Sequence, residues 1–299
     1  MRRAAHVVNG FHGNFSMRGL VEITVTGYYS KSPMEPSHRL ILSPLYDTDS
    51  RRLRDVALNA GWKVTRLDAP ERPEWLESKG EKYALHGGLE FVGLLRRDLG
   101  LGILEPADNL LTRVPGDFLL RRIEYVSAEQ AASLTRPAFI KPPALKTFKA
   151  RVYDSGAAFV AEAKVPPHEM VLISDPVDWE VEYRFFVLEG EAIARSGYLR
   201  HGKPIQKERP GESAQAGELV RGLVKQCGAM LPPAMVVDVG YVSDQGWAVI
   251  EFNAATSSGL YNCDATQVLR TIERACVPLQ GASKNDARSF RREGAALLI

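Results

Sequence analysis

The chain has 299 residues, with 38 Lys and Arg against 36 Asp and Glu, a net charge of +2 and an apolar fraction of 45%. Near-neutral balance removes the electrostatic case for a dedicated nucleic-acid binder, and no apolar run approaches the roughly 18 residues of a membrane-spanning helix. Cys227, Cys263 and Cys276 are odd in number and form no CxxC pair, so a soluble cytoplasmic protein without a disulfide scaffold is expected.

Residues 1–37 mix Gly, Ser, Asn and His, and their most apolar stretch, Gly19–Tyr29, is interrupted by Glu22. That interruption argues against a secretory signal. The segment reads as an N-terminal extension without stable structure, with Met17 and Met34 as internal candidate starts.

From Arg39 the pattern becomes regular. Leu40–Leu45 reads as a buried strand, and Asp47-Thr48-Asp49 caps a helix running to about Ala60. Gly61 ends it, and strands at Trp62–Leu67 and Tyr83–His86 precede Gly87-Gly88 and a helix over Leu89–Leu99. This order predicts a small α/β region with a mainly parallel sheet over residues 38–109.

The second half, residues 110–277, reads as strand-dominated α+β. Ala138–Lys141 is a short strand stopped by Pro142-Pro143. Phe148–Tyr153 and Ala157–Ala163 resemble a hairpin around Asp154-Ser155-Gly156. Val171–Ile173, Val181–Leu188 and Ala192–Tyr198 are strands, and a helix spans about Ala214–Cys227. Ala234–Val242 and Trp247–Phe252 form a second hairpin, and a last helix covers about Ala265–Ala275. Residues 278–299 form a basic tail, of which Gly281–Arg292 is expected to be mobile.

That second hairpin carries the most chemistry. Side chains alternate along a strand, so Glu251 and Asn253 share a face. With a four-residue loop at 243–246, Asp238 falls opposite Glu251, at a Cβ separation of roughly 4.5–5.5 Å. The other face, with Val237, Val239, Tyr241, Ala248, Ile250 and Phe252, is wholly apolar. Facing carboxylates repel unless a cation intervenes, and Mg²⁺ prefers such oxygen ligands together with phosphates. A merely solvated polar face is the competing reading, and an odd loop would break the pairing.

Lys141 ends its strand, and Lys146 and Lys149 follow in a Pro-bounded loop, a set suited to phosphate oxygens or to a solvated basic turn. Glu182 and Arg184 share a face by period two, and Arg195 lies on the next strand; arginine beside a metal site favours planar anion recognition, while an exposed Glu-Arg ladder fits the same residues.

Together FIKPPALKTF (139–148), VLISDPVDWEVEYRFFV (171–187) and DVGYVSDQGWAVIEFNAATSSGLY (238–261) resemble the ATP-grasp superfamily, and most nearly its clade named for two arginines and a lysine. The resemblance covers about Leu110–Ala275, and residues 38–109 resemble the small α/β domain that precedes it. It implies an ATP-grasp fold and binding of ATP with Mg²⁺. Asp238, Glu251 and Asn253 would hold the metal, and Lys141 and Lys146 would contact phosphate. Leu172, Ile173 and Ser174 would line the adenine pocket, and Glu182 would meet the ribose. Arg184 and Arg195 are the candidates for the two arginines. Pro143–Ala150 contains none of the glycines that follow the lysine in many members, and Arg121 or Arg122 would replace the usual upstream phosphate lysine. The implied activity is ligation of a carboxylate to an amine on an amino-acid or peptide-like substrate, through an acylphosphate. A small-molecule kinase, a non-catalytic nucleotide-binding module and, more distantly, a polynucleotide ligase are the alternatives. A homodimer is the family-level expectation for assembly, with neither nucleic acid nor membrane as partner.

Overall fold

The computed structural model describes residues 37–45, 47–69, 76, 80–144 and 146–290. The chain divides into two units, Met1–Glu35 and Pro36–Ile299. The expected N-terminal extension lies outside the described residues but for Ser37, and every described element belongs to the second unit.

Strands β1 (Ser37–Leu42), β2 (Lys63–Arg66) and β3 (Glu81–His86) form a parallel sheet in the order β2-β1-β3. Helix α1 (Thr48–Asn59) begins where the Asp47 side chain accepts the Ser50 N–H at 2.9 Å. Helix α2 (Leu89–Asp98) buries Phe91, Val92 and Leu95 against Ile41, Tyr83 and Leu85. The expected parallel arrangement is the observed one.

Strands β5 (Ile123–Ser127), β6 (Ala138–Lys141), β7 (Arg151–Tyr153) and β8 (Met170–Ser174) form an antiparallel sheet in the order β5-β8-β6-β7. Short helix α3 (Ala128–Ala131) and α4 (Gly156–Ala163) cover one face. The hairpin expected across 148–163 is not formed. Ser155 instead caps a helix, accepting the Ala158 N–H, and β7 pairs back with β6. Gly156 fits because a Cβ there would lie 2.1 Å from the Ala131 carbonyl oxygen.

The second antiparallel sheet runs β11-β10-β9-β12-β13, built from β9 (Val181–Leu188), β10 (Glu191–Arg200), β11 (Lys203–Pro204), β12 (Ala234–Val242) and β13 (Gly246–Asn253). Helix α5 (Glu212–Cys227) packs Ala216, Val220 and Leu223 on the face carrying Tyr183, Phe185, Val237 and Val239. On the other face α6 (Ala265–Ala275) packs Val268 and Ile272 against Phe186, Ala194 and Val236, and also against Leu40, Leu53 and Ala57 of the parallel-sheet region. One amphipathic helix therefore joins the two sheets in a single core. The tail is not free over its described part. Strand β14 (Cys276–Pro278) pairs with β4 (Leu101–Ile103), α7 (Lys284–Arg288) follows, and Arg274 Nη2 reaches Asp286 at 2.6 Å. Among the described residues no helix is long and apolar enough to cross a membrane.

Glu81 ties the parallel sheet together. Arg39 Nε donates to Oε2 at 2.8 Å and Lys63 Nζ to Oε1 at 2.6 Å. The bonded Arg39 guanidinium does most to hold this carboxyl down at about 2, against burial and with help from Lys63. A carboxylate depressed on folding stabilises fully above its ordinary value of 4.5 and loses that contribution as pH falls through about 2. Glu81→Gln should therefore lower the thermal midpoint at neutral pH and flatten its decline between pH 4.5 and 2. A variant with the same acid slope as the parent would refute this assignment.

Candidate active site

The β12–β13 hairpin differs from the four-residue expectation. Val242 pairs with Gly246, so three residues form the loop, and regular pairing continues to Val239 opposite Val249. An odd loop alone would slip the register by one and set Asp238 opposite Ile250. A bulge between Asp238 and Val239 restores the pairing of Asp238 with Glu251, of Val237 with Phe252 and of Val236 with Asn253. The core side accordingly holds Trp247 and Val249 with Val237, Val239, Tyr241 and Phe252; Ala248 and Ile250, expected there, are absent from that cluster.

The bulge frees carbonyls that Arg121 takes up. Its Nη1 donates to Val249 O at 2.7 Å and its Nη2 to Ile250 O at 2.9 Å. The guanidinium also stands 5.1 Å over the Trp179 ring, which lies flat on Gly240; a Cβ at Gly240 would come within 2.4 Å of that ring. Burial lowers the Arg121 guanidinium to about 10 despite the nearby Glu251 charge. Arg121 thus braces the strand carrying Glu251, and Arg122 pairs instead with Glu124 at 2.9 Å.

Two cations answer the two carboxylates. Arg184, beside Asp238 in the β9–β12 register, donates from Nε to Oδ1 at 2.8 Å and from Nη2 to Oδ2 at 2.7 Å. Its remaining Nη1 donates to Gly259 O at 2.9 Å. Lys141, at the end of β6, bonds Glu251 Oε2. Asn253 bridges the acids, with Nδ2 donating to Asp238 Oδ2 at 3.1 Å and Glu251 Oε1 at 2.9 Å. Burial alone would raise the Glu251 carboxyl, but the Lys141 ammonium and the Asn253 amide outweigh it and hold the group at about 2. Burial pushes Asp238 up, and the forked Arg184 contact opposes that rise.

A cleft opens beside this group, lined among others by Lys141, Leu172, Glu251, Asn253 and Leu89. Asp238 is fully buried behind it, and the Glu251 side chain is 30% exposed. Leu172 faces the cleft, whereas the Ile173 side chain points into the core under α3 and α4. Ser174 closes β8 with its hydroxyl on Asp175 O at 3.1 Å. Glu182 accepts from Tyr198 Oη at 2.7 Å, and burial with the Asp238 and Glu251 charges raises its carboxyl although that bond opposes. Lys146 is exposed in the loop after β6. Arg195 is not brought to the group: it pairs with Phe185 and bonds Ser213 Oγ at 2.8 Å beside α5.

Sequence reasoning gave no site role to two neighbours, Tyr198 and Asp49. Tyr198 and Tyr261 stack with centroids 4.6 Å apart, and the Arg184 guanidinium lies 4.9 Å over Tyr261. Asp49 of α1 accepts the Leu260 N–H at 2.7 Å, so the turn after Asn253 is held from both sides. Only the aromatic character of the two tyrosines was visible in the sequence; their pairing spans elements far apart in the chain.

An acid pair on adjacent antiparallel strands, a strand-end lysine from a second antiparallel sheet and a cleft between them define an ATP-grasp architecture. The profile of the family described as the ATP-grasp domain of R2K clade family 2 matches residues 118–271, just over half of the chain, and the chain belongs to that family. The fold is similar to that of D-cycloserine synthetase DcsG, with TM-score 0.52 at 15% identity over 80% of this chain and 100% of that one. It is also similar to D-alanine–D-alanine ligase from Bacillus anthracis, with TM-score 0.51 at 13% identity over 80% and 97% of the two chains. A search of curated proteins returns no match.

Removing one partner of a buried ion pair strands the other charge. Asp238→Ala or Arg184→Ala should each cost about 3–5 kcal/mol of unfolding free energy, and the double change Asp238→Leu with Arg184→Met less than their sum. Denaturant titration checks this, and single losses below about 1 kcal/mol would show the pair to be solvated.

Proposed function

We propose that the chain is an ATP- and Mg²⁺-dependent ligase joining a carboxylate to an amine on an amino-acid or peptide-like substrate. The supporting observation is the convergence of Lys141, Glu251 and Asn253 on one cleft, with Asp238 behind them. Among the described residues no group of three or more His, Cys, Asp or Glu could hold a metal ion. The donors fit Mg²⁺ all the same, because that ion is commonly held by one or two carboxylates and completed by substrate phosphates. Glu251 and the Asn253 amide oxygen would hold it from the cleft wall, and Asp238 would join them only by releasing Arg184 or Asn253. When bound, Mg²⁺ would neutralise charge on the β- and γ-phosphates.

The protein's own groups then divide the work. Lys141, released from Glu251, turns its ammonium to the γ-phosphate, and Leu172 supplies an apolar wall for the base. Glu182, at the same face of β9, takes the ribose hydroxyls. Arg184 stays fixed on Asp238 and keeps that carboxylate compensated behind the cleft wall. The substrate carboxylate oxygen attacks the γ-phosphorus and the bond to the β-phosphate oxygen breaks, giving an acylphosphate and ADP. The amine nitrogen then attacks the acyl carbon, the C–O bond to phosphate breaks and the amine proton is lost. No protein nucleophile is needed, so catalysis rests on positioning and charge. Arg195 has no part in this scheme, and Lys146 would act only as a mobile phosphate contact.

Incubation with Mg²⁺, ATP, a panel of amino acids and dipeptides, and hydroxylamine should give ADP together with a carboxylate-dependent hydroxamate. Glu251→Gln should lower kcat by about 10²-fold or more with the fold intact. ADP release with a stable phosphorylated product and no hydroxamate would make the chain a kinase. Intact nucleotide binding without ADP release across the panel would sink the ligase reading.

A further inference from the structure

The basic tail, which the ligation scheme does not use, closes on the segment that leads into the proposed nucleotide cleft. Strand β14 pairs antiparallel with β4, setting Cys276, Val277 and Pro278 opposite Ile103, Gly102 and Leu101, and Leu279 N donates to Gly100 O at 2.9 Å. The chain then reverses through Gly281, at φ +85°, and α7. It returns to the same segment. Phe290 bridges Leu104, and Glu105 N donates to Ser289 O at 2.8 Å, while Leu104 N donates to Ala275 O at 2.9 Å. Successive N–H groups of an extended chain point to opposite edges, so each edge of residues 101–105 is gripped by one arm of the tail. All of these residues lie outside the family's domain, residues 118–271.

Side chains lock this fork. The Phe290 ring lies on Gly102, where a Cβ would come within 2.6 Å of it, and packs in one cluster with Leu104, Ala275 and Val277. Gly102 has no positive φ, so the ring rather than the backbone keeps a side chain out. Behind the ring, Asp286 is 8% exposed and accepts from Ser283 Oγ at 2.9 Å and Arg274 Nη2 at 2.6 Å. Arg274 also bonds Glu189 in the turn between β9 and β10. The returning arm is thereby tied to α6 and to the five-stranded sheet.

What the fork holds gives it a use. Immediately after it, Glu105, Pro106 and Asp108 line the same cleft as Lys141 and Glu251, and Leu111 lines it while entering the core under the five-stranded sheet. Only residues 106–109 separate the fork from that second anchor, and Pro106 narrows their backbone freedom further. A shift of the fork is therefore passed to the cleft wall. We propose that the tail is a clasp that sets the position of this wall, with Phe290 as its positioning residue, so that closure of the clasp and occupation of the nucleotide cleft favour one another. The inference rests on the nucleotide reading of the cleft. Such coupling is reciprocal: the factor that a closed clasp adds to nucleotide affinity is the factor that bound nucleotide adds to closure.

The test reads both directions on the full chain. Calorimetric titration with a non-hydrolysable ATP analogue and Mg²⁺ should give Phe290→Ala a dissociation constant about 10-fold above that of the parent. Gly102→Ala, which keeps Phe290 but displaces its ring, should weaken the analogue about as much. The double variant should lose less than the two singles combined, because the new methyl enters the space that the ring leaves. In amide hydrogen exchange, the Glu105 N–H should exchange faster in either single variant. In the parent, saturating analogue should slow exchange at Glu105 and Leu279 by about 10-fold relative to the amides of β2. Should Phe290→Ala fail to fold, Gly102→Ala and exchange in the parent carry the test. An affinity unmoved in the folded single variants, additive losses in the double, or Glu105 exchange indifferent to the analogue would each overturn the clasp and leave the nucleotide reading standing. A parent chain that binds no analogue would overturn the ATP-dependent reading itself, and the clasp with it.

Discussion

Two carboxylates facing each other on adjacent strands, one fully buried and one at a cleft wall, repel unless cations intervene, and most of the site follows from how that constraint is met. Asp238 is neutralised by a forked Arg184 contact and Glu251 by Lys141, with Asn253 donating to both. The two pairs differ in kind. The Arg184 guanidinium is planar, permanently charged and locked by a third bond to Gly259, so it is a fixed part of the sheet. Lys141 is a point charge on a flexible stem at a cleft wall, and a competing anion can draw it away. The rigid pair sits behind and the exchangeable pair in front, at the cleft wall.

How much of this is legible in the sequence depends on strand parity. A four-residue loop, which does not exist, predicts the pairing of Asp238 with Glu251; a three-residue loop and a compensating bulge produce the same opposition. The cost of that bulge is two free carbonyls, and Arg121 bonds both. No local pattern reveals such a contact, because it joins residues 128 and 129 positions apart. In the neighbouring hairpin the same device acts, and a second bulge between Gly197 and Leu199 compensates it only further along. Glu189 and Gly190 have φ of +48° and +82°, fitting a tight two-residue turn, and unbroken pairing from it would set Arg195 opposite Arg184. A bulge between Ala192 and Ala194 moves Ser196 into that place and turns Arg195 to the α5 side. The extra residue flips the side chains between the two bulges, Arg195 among them.

The parallel sheet is more readable, since apolar cores such as Leu40–Leu42 and Tyr83–Leu85 are punctuated by Asp47, Gly61 and Gly87-Gly88, although the first strand runs Ser37–Leu42 rather than Leu40–Leu45. Residues 148–163 mislead because short apolar runs fit either period. There a serine cap and a glycine packed on a neighbouring carbonyl decide for helix.

The turn from Ala254 to Cys263 is where the two sheets come to act as one. Arg184 holds it from β9, Asp49 and Arg52 hold it from α1, and Gly87 holds it from the end of β3. Tyr261, at φ +49°, is kept in a conformation that a non-glycine residue adopts only when its surroundings enforce it. That enforcement stacks Tyr261 on Tyr198 and under the Arg184 guanidinium, and Tyr198 in turn bonds Glu182.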